Sequence, residues 1–353
     1  MNQRSPGAAC AAVATTLIGT SFVALSLLGH YPTLGGQALR YGLAAAVLLL
    51  LAARQPAGLA PVRRLRPRQW LRLSLVAAAG MVGFNLAVLA AELAAEPAVP
   101  GVTVGCAPLV IAILAPLLER RRPSPRLSGS ALLVVAGAAV VQGLGRTDAA
   151  GLGWSLLALC GEVAFGLVSV PLIRPLGPTL LAGCACSVAT GQALLVGVLT
   201  QGTAVLRVPT GGETAALLWM ALPVTVIAFW AWYTGVQRLG PERAGLFPGL
   251  IPVAAAATAP LVGTGALGPG QVLGSLLVAL GVVAGLRVTD GREVTADGVT
   301  AGREVVGGRV TAGPQVRAGR TAPPGPPRGT APRPAAGTTA EPAAPPLLPG
   351  PTH

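Results

Sequence analysis

Two stretches of this chain read as one pattern: GVTVGCAPLVIAILAP at 101–116 and GLFPGLIPVAAAATAP at 245–260, a constant 144 residues apart. Gly101 falls on Gly245, Pro108 on Pro252, Ala112 on Ala256 and Ala115-Pro116 on Ala259-Pro260. At the same offset LLVVAGAAVV (132–141) falls on LLVALGVVAG (276–285), with Gly137 on Gly281. An apolar segment with an internal proline, followed by an apolar segment rich in small residues, occurs twice. That is the mark of a duplicated unit rather than of shared composition alone.

Working outward, ten apolar segments can be cut from the chain: 8–28, 32–52, 70–90, 97–118, 127–144, 152–173, 179–200, 214–235, 244–264 and 270–286. Most are near 20 residues, enough at 1.5 Å per residue to cross a hydrocarbon core of about 30 Å. The fifth and tenth are shorter and need their flanks to span. Composition agrees: 52% of residues are hydrophobic and 10% charged, against about 25% charged in soluble domains. The Arg4 flank does not make the first segment a secretory signal, because its apolar run is too long and the next span follows at once.

All 25 basic residues are arginine. With alternating spans and a cytoplasmic N-terminus, fifteen arginines fall in inside regions, two (Arg146 and Arg207) in outside loops, Arg40 within a span and seven in the tail. The outside loops also hold the acids Glu92, Glu96, Asp148 and Glu213. That asymmetry satisfies the positive-inside rule. The net charge of +13 is strung between spans rather than gathered on a folded domain, so nucleic acid is excluded as a partner. Five spans per unit make the second unit insert upside down, an arrangement that places a transporter's site near the midplane. The expected fold is an all-α integral membrane protein of ten transmembrane helices in two inverted five-helix repeats, 8–144 and 152–287. From 288 to 353 apolar periodicity stops and Pro, Gly, Thr and Ala dominate. This reads as a disordered cytoplasmic tail, unable to bury enough surface to offset chain entropy.

Two ionisable side chains lie within the spans, Arg40 and Glu162. A charge at the bilayer centre costs roughly 2.5–3.5 kcal/mol or more, so each must face the interior or a wet cavity. One reading gives Arg40 an anionic substrate group to hold and makes Glu162 a proton-accepting carboxylate. The other makes them a buried ion pair that only permits their burial. Ser21, Asn85, Gln192 and Tyr233 are further candidates for the site, although polar groups also bridge membrane helices. Trp230, Trp232 and Tyr233 also suit an aromatic belt at the inner end of span eight. Pro108 and Pro252 are expected to kink their helices.

The absences restrict function. Without lysine no phosphate-binding GxxxxGK[ST] loop exists, and two histidines assemble neither an HExxH motif nor a Ser-His arrangement. The five cysteines have no metal or redox spacing. An enzyme, a metal site and a cofactor are therefore not expected.

The local motifs also resemble a family. QALRYGLAAAVLLLL (37–51) resembles the second helix of EamA-type carriers in the drug/metabolite transporter superfamily, GTSFVALSLL (19–28) is similar to their first, and CAPLVIAILAPLLER (106–120) to their fourth. Ile18 stands where the first helix usually has tryptophan, and near Gly263-Thr264 the second half lacks the glutamate that follows the fourth-helix proline. The resemblance covers residues 8–287. It implies a secondary transporter in the cell membrane, read as an exporter of a small metabolite, and the arginine asymmetry puts both termini in the cytoplasm. Its expected partners are the bilayer, a small-molecule substrate (amino acid, drug or other metabolite) and protons as the coupling ion; homodimerisation stays open. The alternatives are a non-transporting subunit or receptor of the same fold, and a flippase for a lipid-linked metabolite.

Overall fold

The computed structural model describes residues 4–26, 28, 31–96, 98–143, 145–262 and 268–288. The tail expected to be disordered and the Gly263-Thr264 pair lie outside them. Long helices make up the described chain: α1 (Arg4–Ser26), α2 (Thr33–Ala53), α3 (Pro67–Ala94), α4 (Val99–Leu118), α5 (Pro125–Gln142), α6 (Ala149–Val168), α7 (Val170–Gln201), and α8 (Gly211–Leu239), α9 (Pro241–Leu261) and α10 (Pro269–Arg287). Among the described residues no strand forms; Ala95 and Thr147 make a single antiparallel bridge. Among the described residues nine helices, α2 to α10, are long and apolar enough to cross a membrane. The tenth expected span is α1, long enough at 23 residues but diluted by Thr15, Thr16, Thr20 and Ser21. The two short segments do form helices, α5 of 18 residues and α10 of 19.

The 144-residue offset found in the sequence recurs in the backbone. Moved by 144, α1 to α5 fall on α6 to α10 with ends matching within a few residues, apart from the first turns of α7. There Gly177, the counterpart of Thr33, interrupts the helix with φ of 72°. Two wide π-helical turns interrupt α3 and α8, at Ala78–Gly83 and Leu222–Ile227, again 144 apart. Packing follows the same relation. α1 lies on α8 and α9, while α6 lies on α3 and α4; α2 pairs with its own counterpart α7, and α5 with α10.

The α5–α10 contact shows why these helices carry glycine. A Cβ on Gly137 would sit 2.7 Å from the Gly274 carbonyl oxygen, and one on Gly281 would sit 2.9 Å from that of Ser130. As α5 is followed upward its neighbours on α10 run downward, so the pair is antiparallel. Lipid offers no hydrophobic drive for helix association, so close backbone approach through small residues does that work. Ala11, Ala14, Ala77, Ala112, Ala131, Ala158 and Ala185 are completely buried for the same reason. Many other large apolar side chains face outward, with Leu93, Leu199 and Leu261 more than three-quarters exposed.

Candidate functional site

A cavity of about 310 Å³ opens between α1, α2, α3, α4, α6, α8 and α9. On α2 its lining residues are Thr33, Gly36, Gln37, Arg40 and Tyr41. That spacing of three and four is one face of a helix. On α3 the lining residues Gly80, Phe84, Asn85, Val88, Leu89 and Glu92 make a second face. Phe165, Phe229 and Trp232 supply aromatic wall, the rings of Phe165 and Phe229 lying 5.2 Å apart.

Arg40 is only 7% exposed. Its Nε donates to Thr225 Oγ1 at 2.7 Å, and its guanidinium lies 5.2 Å from the centre of the Tyr41 ring. Thr225 in turn donates to the Met220 carbonyl at 2.7 Å, five residues back in the π-helical turn of α8. The first π-helical turn serves a similar end on the opposite wall. Asn85 donates to the Met81 carbonyl at 2.6 Å and to Tyr41 Oη at 3.2 Å, and accepts from Gln37 Nε2 at 3.1 Å. Wide turns of this kind leave carbonyls available for side chains and recur at functional sites.

Glu162 also lines the cavity. Among the described residues no hydrogen bond or ion pair reaches its carboxylate, so the direct Arg40–Glu162 pair does not form. Its counterpart 144 residues earlier is Ile18, which faces the same cavity.

At the end where α2 begins, Tyr31 lines the cavity and its hydroxyl donates to the Arg207 carbonyl at 2.7 Å. The Arg207 guanidinium lies 4.6 Å from the centre of that ring and pairs with Glu213. Burial pushes the Tyr31 hydroxyl pKa up, and the Arg207 charge opposes it.

Helices of this length and a central polar cavity point to transport, and comparison with known proteins agrees. Residues 5–142 match the model of the EamA-like transporter family. The chain is similar to the uncharacterized transporter YyaM of Bacillus subtilis, 23% identical over 262 residues, covering 72% of this chain and 85% of YyaM. It is also similar to the uncharacterized transporter YetK of the same organism, 25% identical over 253 residues, covering 69% of this chain and 76% of YetK. Both alignments are longer than residues 5–142, so the likeness continues into the second half. A protein crystal structure superposes with a TM-score of 0.70 at 22% identity, over 80% of this chain and 98% of its own. That likeness carries the fold.

Of the residues singled out in the sequence, Arg40, Glu162, Ser21 and Asn85 meet at the cavity. Ser21 also donates to the Ile18 carbonyl at 2.6 Å. Gln192 is not in the lining; its Nε2 donates to the Ser74 carbonyl at 3.1 Å and joins α7 to α3. Tyr233 is fully buried behind the wall, 5.7 Å from Phe165. Pro108 follows a break at Cys106, and Pro252 follows the 3-10 turn Phe247–Gly249. Neither lines the cavity; Pro248 does.

Two expectations are corrected. Trp232 is buried in the cavity wall while Trp230 is 44% exposed, because adjacent helical residues point about 100° apart. Glu92 lies in the last turns of α3 at the cavity, not in an outer loop, because α3 runs on to Ala94. Thr225, Gln37 and Tyr41 had no signal of their own in the sequence. Thr and Tyr are common in such helices, and the spacing of Gln37 and Tyr41 from Arg40 was the one available pointer.

Proposed function

We propose that this protein is a secondary carrier that exports a small metabolite by alternating access, with proton exchange at Glu162 as the driving step. Arg40 holds an anionic group of the solute. The halves 8–144 and 152–287 are inverted repeats that rock about the cavity between them. The matched ends, the paired π-helical turns and the antiparallel α5–α10 contact support that arrangement.

One observation carries the coupling role: Glu162 faces the cavity without a partner, while Arg40, in the same cavity, is held by a neutral hydroxyl. A carboxylate neutralised by a fixed ion pair would have no reason to exchange a proton with the lumen. An unpaired one in a partly apolar wall can be neutral when the solute is absent and give up its proton as charge is rearranged. The 310 Å³ volume lies at the lower end for ligand pockets, about 300–1,000 Å³, which favours a compact solute over a lipid-linked one. The test is solute flux in proteoliposomes under an imposed pH gradient, comparing wild type with Glu162→Gln. Loss of pH-driven accumulation with retained exchange supports the role; unchanged accumulation removes it.

A further inference from the structure

The connection between α2 and α3 carries Arg54, Arg63, Arg64 and Arg66, and the first turns of α3 add Arg68 and Arg72. All six are exposed, and residues 54–72 contain no acid. Among the described residues none of the six makes an ion pair, whereas three arginines elsewhere do: Arg121 with Glu119 and Glu242, Arg146 with Glu96, Arg207 with Glu213.

The second half shows what is missing. Its equivalent of Arg63 is Arg207, and its equivalent of Gln69 is Glu213. Both Gln69 and Glu213 cap a helix in the same way. Gln69 Oε1 accepts from the Arg66 N–H at 2.9 Å, and Glu213 Oε2 from the Thr210 N–H at 2.8 Å. The carboxylate at 213 also neutralises Arg207; the amide at 69 neutralises nothing. Positive charge therefore accumulates at a place where the fold can accept a carboxylate and has none.

The apolar neighbours place this charge at a bilayer boundary. Trp70 is 41% and Leu71 70% exposed, beside Arg68 and Arg72 on the first turns of α3. Tryptophan is enriched at head-group level. We propose that this connection is a docking surface for acidic phospholipid head groups, whose phosphates supply the anions that the chain omits. Each arginine near an anionic lipid surface contributes about 1 kcal/mol, close to a fivefold change in affinity.

The test follows thermal unfolding of the purified full chain in detergent, titrated at 50 mM NaCl with phosphatidylglycerol, phosphatidylcholine or inorganic phosphate. Phosphatidylglycerol should raise the melting temperature and phosphatidylcholine should not. The R63Q/R64Q/R66Q/R68Q variant should need more than about a hundredfold more phosphatidylglycerol. Gln69→Glu keeps the cap and adds a single negative charge, so it should weaken the titration about fivefold and still fold. At 300 mM NaCl the effect should shrink by screening. Equal stabilisation by both lipids, or unchanged titration in Gln69→Glu and the quadruple variant, would overturn the proposal. Inorganic phosphate matching phosphatidylglycerol would overturn it too, as the response to a free anion.

Discussion

Replacing Thr225 with valine tests how Arg40 is held. The side chains are nearly equal in volume, so the change removes a hydroxyl from a site with no solvent exposure. Two hydrogen bonds go, the 2.7 Å bond from Arg40 Nε and the 2.7 Å bond to the Met220 carbonyl. A hydrogen bond to a charged group is worth about 1.5–3 kcal/mol. The variant should therefore lose about 2–3 kcal/mol. Thr225→Ser keeps both bonds and should lose only the methyl, about 1 kcal/mol. In an Arg40→Gln background, Thr225→Val should cost about 1.5 kcal/mol less than in wild type, the coupling energy of a double-mutant cycle. That exceeds the average of about 0.6 kcal/mol for hydrogen bonds between membrane helices because the donor is a cation. Reversible unfolding of the purified protein in detergent supplies all four corners. Additive losses, agreeing within about 0.5 kcal/mol, would refute the claim that Thr225 holds Arg40.

Gly274→Ala would place a Cβ 2.6 Å from the Gly137 carbonyl oxygen, so it should destabilise the α5–α10 contact by about 1–3 kcal/mol in the same unfolding assay. Alanine at Gly153, whose Cβ would meet nothing within 4 Å, should be silent there. Single cysteines at positions 55–62 in a cysteine-free background should react with impermeant reagents only from the cytoplasmic side, given the arginine asymmetry. Truncation after Val288, whose carbonyl accepts from Arg243 at 2.8 Å, should leave insertion and unfolding temperature unchanged.

The helical architecture was legible in the sequence because membrane helices declare themselves by apolar length. The 144-residue offset was visible because Gly137 and Gly281 sit where two backbones approach too closely for a Cβ, and because the prolines Pro108 and Pro252 stand out in apolar segments. The short fifth and tenth segments do form helices, and the hydroxyl residues of α1 bond its own carbonyls, as Thr15 does to Ala11 at 2.9 Å. The site was half legible. Arg40 and Glu162 stood out as costly charges, and Asn85 as an amide within an apolar segment. Gln192 looked the same in sequence and turned out to bridge helices, because which face an amide occupies depends on helix rotation rather than on residue type. The two π-helical turns left no sequence signature; a one-residue widening of a helix is decided by packing and by the side chains that reach the loosened carbonyls. For the same reason the partnership of Arg40 with Thr225, 185 positions away, could not be anticipated.

The most direct measurement of the central claim is proton movement coupled to solute. Proteoliposomes holding a pH-sensitive dye would be screened against a panel of amino acids and related small metabolites, with wild type, Glu162→Gln and Arg40→Gln in parallel. The account predicts a solute-dependent dye response in wild type. For Glu162→Gln it predicts no dye response but continued exchange of the same radiolabelled solute, the neutral amide being cheaper to bury than a carboxylate. Arg40→Gln should lose both for a solute carrying an anionic group. A dye response from Glu162→Gln equal to that of wild type would contradict the account.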